Sequence, residues 1–298
     1  MYRLKPYMMP IAMTFGIMFY KLFDSFAFIT PYLIFIMLFL TYNNLSFKNL
    51  RITSLHLILI LIQIFSCLII YFLLDNFNHV LAQSALICIL APTATAAPVI
   101  ARMLGGNIAS LASYSLLSNF SVAILSPFIF SYIGIHQETS FIQSFLLIFS
   151  QISPLLIAPF IATLIIRKLF PSIQKKLQSL TDISFYLWVL ALSIVTGKTV
   201  SFILNQDSSG YTIEILIASC SLILCIGQFV IGRRIGRYFN DTITGGQGLG
   251  QKNTILAIWM AQVYLNPISS LGPGAYILWQ NVVNSYQIWH RKQQKNIL

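Results

Sequence analysis

The chain has 298 residues, of which 57% are hydrophobic and only 8% charged, with a formal net charge of +11. A soluble domain of this length carries about 25% charge, so about fifty charged side chains are missing, and the mean hydropathy of +0.79 agrees. These figures exclude a soluble enzyme, a disordered chain and a secreted disulfide scaffold.

A membrane-spanning helix needs about 20 mostly apolar residues. In chain order, ten stretches fit that ruler: 7–23, 26–42, 55–74, 79–102, 108–134, 141–166, 181–203, 212–235, 243–264 and 267–290. The expected fold is therefore an all-α polytopic membrane protein with ten transmembrane helices, here numbered as spans 1 to 10. The first stretch has no cleavage-site signature and continues as an ordinary span, so no removable signal is expected. Basic residues set the orientation. With the N-terminus in the cytoplasm, the inside segments and span ends hold fifteen Lys and Arg, the outside ones only Lys21 and Lys198, and Lys252 alone falls deep within a span. Acids follow suit: Asp24, Asp75, Glu138, Asp207 and Glu214 fall outside, Asp182 and Asp241 inside. Both termini are thus placed in the cytoplasm, with the chain in a cell inner (plasma) membrane. The basic excess is topological, which removes nucleic acid as a partner and leaves the lipid bilayer. No obligate protein partner is evident.

The four cysteines (Cys67, Cys88, Cys220 and Cys225) lie inside apolar runs without ligand spacing and read as small apolar residues. The four histidines (His56, His79, His136 and His290) lie at span ends or in loops, which argues against a metal site. No Ser/His/Asp set or carboxylate pair falls within the membrane, so no enzyme is expected.

Ten spans divide into five and five, over residues 1–134 and 141–298. Five is odd, so a duplicated second half enters the membrane inverted, the plan of many secondary transporters. Span 4 carries Pro92 and Pro98, six residues apart with only small residues between them. Each removes a backbone donor and clashes with the preceding turn, which predicts an unwound segment. Span 9 reads Thr244-Gly-Gly-Gln-Gly-Leu-Gly-Gln-Lys-Asn-Thr254, a poor continuous helix. Paired broken helices at matching positions point to a midplane binding site. The plainer alternative is that these prolines and glycines serve as kinks and packing faces.

Here the sequence resembles the bile acid:sodium symporter family, secondary transporters of organic anions. The first half carries the likeness in Phe47-Lys48, Leu61-Ile-Gln63-Ile, Ala91-Pro92 with Thr95 and Val99, and Leu104-Gly-Gly-Asn107. The second half carries it in Gln251-Lys-Asn-Thr254, Pro273-Gly-Ala275 and Trp279-Gln-Asn281 with Ser285. The resemblance implies a panel and a core, with broken helices 4 and 9 crossing in front of two sodium ions. It maps ion ligands onto Gln63, Thr95, Asn253 and Thr254, beside a polar face of Ser115, Ser118 and Asn119. It also exposes departures: the family's Ser-Asn pair falls on Ala97 and Pro98, its glutamate on Gly248 and its span 9 glutamine on Lys252.

Sodium wants hard, negatively charged oxygen ligands, and here a lysine stands where an amide is expected. A midplane lysine costs about 2.5–3.5 kcal/mol on insertion scales, so it needs a partner or a task. Three readings stay open. The Lys252 ammonium replaces the cation, donating to Gln63, Thr95 and freed carbonyls; or it carries a proton; or it snorkels to the interface without a role. Asn281, with Asn266 and Pro267, either faces the substrate or bonds helix to helix. Pro92, Pro98, Gly248 and Gln251 complete the expected substrate and ion site. The implied function is alternating-access transport of a small organic solute, expected to be an anion, with sodium coupling doubtful, proton coupling open and no cofactor. The alternatives are a cation/proton exchanger of related fold, or a non-transporting membrane sensor or assembly factor.

Overall fold

A computed structural model of the chain describes residues 8–45, 50–94, 97–134, 140–205 and 211–296. Among the described residues fourteen α-helices carry the fold and there is no strand. In chain order they are α1 (Met8–Met18), α2 (Tyr20–Ser25), α3 (Thr30–Asn43), α4 (Ser54–Asp75), α5 (His79–Leu90), α6 (Ala97–Leu104) and α7 (Ile108–Ile133). There follow α8 (Phe141–Leu169), α9 (Pro171–Ser179), α10 (Thr181–Leu204), α11 (Thr212–Tyr238), α12 (Thr242–Gly250), α13 (Thr254–Tyr264) and α14 (Leu271–Asn296). Side chains start several of them: Asn78, Ser140 and Asp241 accept from the backbone N–H three residues on, at α5, α8 and α12.

Among the described residues, five helices are long and apolar enough to cross a membrane: Ser54–Asp75, Ile108–Ile133, Phe141–Leu169, Ile183–Leu204 and Thr212–Tyr238. Their polarity is inside out. Helix α4 exposes Leu57, Leu61, Phe65 and Ile69, a stripe at four-residue spacing, while it buries His56 and Gln63. In water that arrangement would be costly on both counts; in lipid it is the stable one. The protein is built as a membrane-embedded, all-helical chain.

The helices gather into two compact units, each drawing residues from both halves of the chain. One comprises 1–45, 127–210 and 258–270. In it the Ser193 hydroxyl on α10 donates to the Ala12 carbonyl on α1 at 3.0 Å, and Arg167 and Gln178 close the end of α3 by donating to the Asn43 carbonyl at 3.2 and 3.0 Å.

The other unit comprises 46–126, 211–257 and 271–298 and holds both helix breaks. The breaks fall differently from the sequence expectation. Helix α12 runs through all four of its glycines and ends only at Gly250. Those glycines make close packing possible. A Cβ on Gly232 of α11 would collide with the Gly245 carbonyl oxygen, and one on Gly245 with that of Gly232. Bundling against α11 thus outweighs the poor helix propensity of glycine. Pro92 lies in the first break, immediately beyond α5, whereas Pro98 is the second residue of α6, where a proline costs no hydrogen bond.

Candidate functional site

Where α5 and α12 end, their chains cross as short extended segments. Thr93 and Lys252 form an antiparallel bridge. The Ala94 N–H donates to the Gln251 carbonyl at 2.9 Å, and the Asn253 N–H donates to the Pro92 carbonyl at 2.8 Å.

Around this bridge each arm repeats the other's bonding. The Lys252 ammonium donates to the Ile89 carbonyl at 2.7 Å, and the Thr93 hydroxyl donates to the Gly248 carbonyl at 2.8 Å. Each tie therefore lands four residues ahead of the opposite bridge residue. The bridge peptides are held alike. Thr93 donates its N–H to the Ser118 hydroxyl at 3.3 Å, and its carbonyl accepts from Ser115 at 3.4 Å, both serines on α7. Lys252 donates its N–H to the Gln280 side-chain oxygen at 2.8 Å, and its carbonyl accepts from the Gln280 amide at 3.3 Å, on α14.

A broken helix leaves its last carbonyls without partners, and at the end of α5 each finds one inside the protein. The Ile87 carbonyl takes the Ala91 N–H at 3.0 Å, Cys88 takes the Gln228 amide at 3.5 Å, and Ile89 takes Lys252. Leu90 and Ala91 share the Gln63 amide at 2.7 and 3.1 Å. On α12, the Gly250 carbonyl accepts from the Tyr276 hydroxyl at 2.9 Å.

Lys252 is 1% exposed, so its ammonium does not snorkel to an interface. A charge-assisted hydrogen bond contributes about 1.5–3 kcal/mol. A cation at a helix C-terminus adds up to about 2 kcal/mol, so together they offset the insertion cost.

Several expected ligands have other duties. Gln63 does not receive the Lys252 ammonium; its amide serves α5, and its oxygen accepts from Tyr114 at 3.0 Å and Ser118 at 3.4 Å. Ser115 and Ser118 hold Thr93. The Asn119 amide donates to the Ser115 carbonyl at 2.7 Å, leaving its buried oxygen unpartnered. Gln251 accepts from Asn284, Asn253 caps the Leu256 N–H at 3.3 Å, and the Thr254 N–H closes a turn onto the Lys252 carbonyl at 3.0 Å. Asn281 donates to the Ile277 carbonyl of its own helix at 2.6 Å, whereas its neighbour Gln280 holds the Lys252 peptide. Thr95 lies outside the described residues. Sequence reasoning missed Thr93, Tyr114, Gln228, Tyr276 and Gln280. Gln280 had a signal, standing beside Asn281 in the same motif; the two tyrosines had none, since tyrosines in apolar helices read as packing.

The sodium site implied by the resemblance does not fit these residues. At Gly248, where the family's glutamate falls, a Cβ would lie 2.8 Å from the Tyr114 ring, so no carboxylate has room. The carbonyls beside it are occupied by the protein's own donors, one of them cationic. Among the described residues no three His, Cys, Asp or Glu side chains come together as a metal site. A cavity of about 650 Å³ opens elsewhere in this unit, lined by Arg51, Thr53, Asn107, Ser110, Asp241 and Thr242 among others, and it shares no residue with the crossing. Neither the protein-family models nor the curated proteins match this chain.

Proposed function

We propose that the chain is a secondary active transporter of a small organic solute, an anion by preference, working by alternating access without sodium. We also assign it to the bile acid:sodium symporter family as a divergent member. The observation that carries the reading is the Lys252 ammonium seated on the Ile89 carbonyl where two broken helices cross. Irregular backbone within a membrane protein is tolerated where protein buries it or where it lines a cavity, and paired breaks mark binding sites in transporters. The reciprocal bonding about Thr93 and Lys252 is what two inverted five-helix repeats over ten spans would produce. Helices α6 and α13 begin just beyond the breaks, and their N-termini offer partial positive charge to an anionic group.

The test is uptake by the purified chain in liposomes, using carbon-14 acetate, benzoate and citrate as size classes, in sodium chloride and in choline chloride. Equal uptake in the two salts is expected; strict dependence on sodium overturns the reading. A pH series then separates the two roles of Lys252. Uptake indifferent to a proton gradient assigns a fixed cation, and uptake driven by one assigns a proton carrier. Lys252→Gln should abolish uptake or change its pH profile, and wild-type behaviour of that variant removes Lys252 from the mechanism.

A further inference from the structure

We infer that Thr93 is the counterpart of Lys252: the two are reciprocal ties that close an ion-free joint, with Ser115, Ser118 and Gln280 as its positioning residues. The ties share one geometry. Each starts on a bridge residue, crosses to the other arm and lands on a carbonyl freed by the helix break there. Each bridge residue is gripped at both its N–H and its carbonyl by side chains of one long helix. Thr93, Ser118 and Lys252 are at most 1% exposed, and Gln280 is 4% exposed, so water does not compete for these bonds.

The arms differ in reach. A hydroxyl one bond from Cβ suffices on the Thr93 side, whereas the Lys252 side needs a four-carbon stem and brings the charge. Lys252 therefore supplies the positive charge of the joint and Thr93 its short strut. Loss of either strut frees a carbonyl and loosens the segment that aims the other, so the two contributions are coupled.

The primary readout is thermal unfolding of the full-length chain in detergent, which requires no transport. Thr93→Val keeps the shape and removes the hydroxyl; it should lower the unfolding temperature by about 2–4 °C, and Thr93→Ser should restore most of the loss. Combined with Lys252→Met, Thr93→Val should cost clearly less than it does alone. Additive losses, or an unchanged Thr93→Val, overturn the inference. Gln280→Leu tests the same coupling should Lys252→Met not fold: with it, Thr93→Val should again cost less than alone, and additivity again counts against the joint. A second arm rests on the transport reading. For a carboxylate that the wild type takes up, Thr93→Val should slow the maximal rate and leave the half-saturating concentration unchanged, with Thr93→Ser recovering the rate. A changed half-saturating concentration places Thr93 on the cargo instead. Absence of uptake by the wild type counts against the transporter reading and leaves the unfolding result standing.

Discussion

At the residue scale, the stability of the crossing turns on a near balance at Lys252. Truncating it to alanine leaves the Ile89 carbonyl without its donor, which costs about 1–3 kcal/mol, and opens a cavity. The same change removes a charge whose insertion costs about 2.5–3.5 kcal/mol. These effects oppose each other, so the size of the stability change discriminates little and chemical rescue discriminates well. The side chain removed from Lys252→Ala matches n-propylammonium. That cation should raise the unfolding temperature of the variant and leave the wild type unchanged, with neutral n-propanol having less effect. An equal shift in both proteins would show that Lys252 leaves no ammonium site behind. Lys252 was legible in the sequence because an ionisable residue in an apolar span stands out. Its partners were not: the Ile89 carbonyl has no side-chain signature, and a threonine or a side-chain amide in a membrane helix as often bonds its own backbone, as Thr41 and Asn281 do.

At the scale of elements, the glycine run of α12 shows how composition misleads when packing is hidden. Four glycines in six residues predict a break, because each costs about 1 kcal/mol relative to alanine in a helix. The structure keeps them helical since α11 brings Gly232 and Gly236 against the same face, and backbone meets backbone. The partner surface lies in another stretch of sequence, and only the folded unit reveals it. Alanine substitutions separate the two roles. Gly232→Ala and Gly245→Ala force a Cβ into a facing carbonyl and should destabilise by about 1–3 kcal/mol. Gly227→Ala and Gly274→Ala meet nothing within 4 Å and should be neutral or gain up to about 1 kcal/mol from propensity. Unfolding temperatures of the four variants in one detergent decide it. Losses of similar size at all four positions would mean that α11 and α12 are not held by this contact.

For the whole molecule, hydropathy located helices well, since every expected stretch is occupied by helix. The division into two units was not readable, because each unit assembles segments far apart in sequence and no composition change marks the crossover points inside α7 and α13. Orientation rests on charge: fifteen basic residues against two is a bias that a single misplaced span would scramble. Two exposed positions test it. Phe77, between α4 and α5, is 83% exposed, and Tyr238, at the end of α11, is 84% exposed. The charge count puts Phe77 outside the cell and Tyr238 in the cytoplasm. With the four native cysteines replaced, Phe77→Cys should react with a membrane-impermeant maleimide on intact cells, and Tyr238→Cys should react only after the membrane is permeabilised. The reverse pattern inverts the protein. Labelling of both on intact cells breaks the span count, because in the ten-span reading five spans, 4 to 8, lie between these positions, and an odd number puts them on opposite sides.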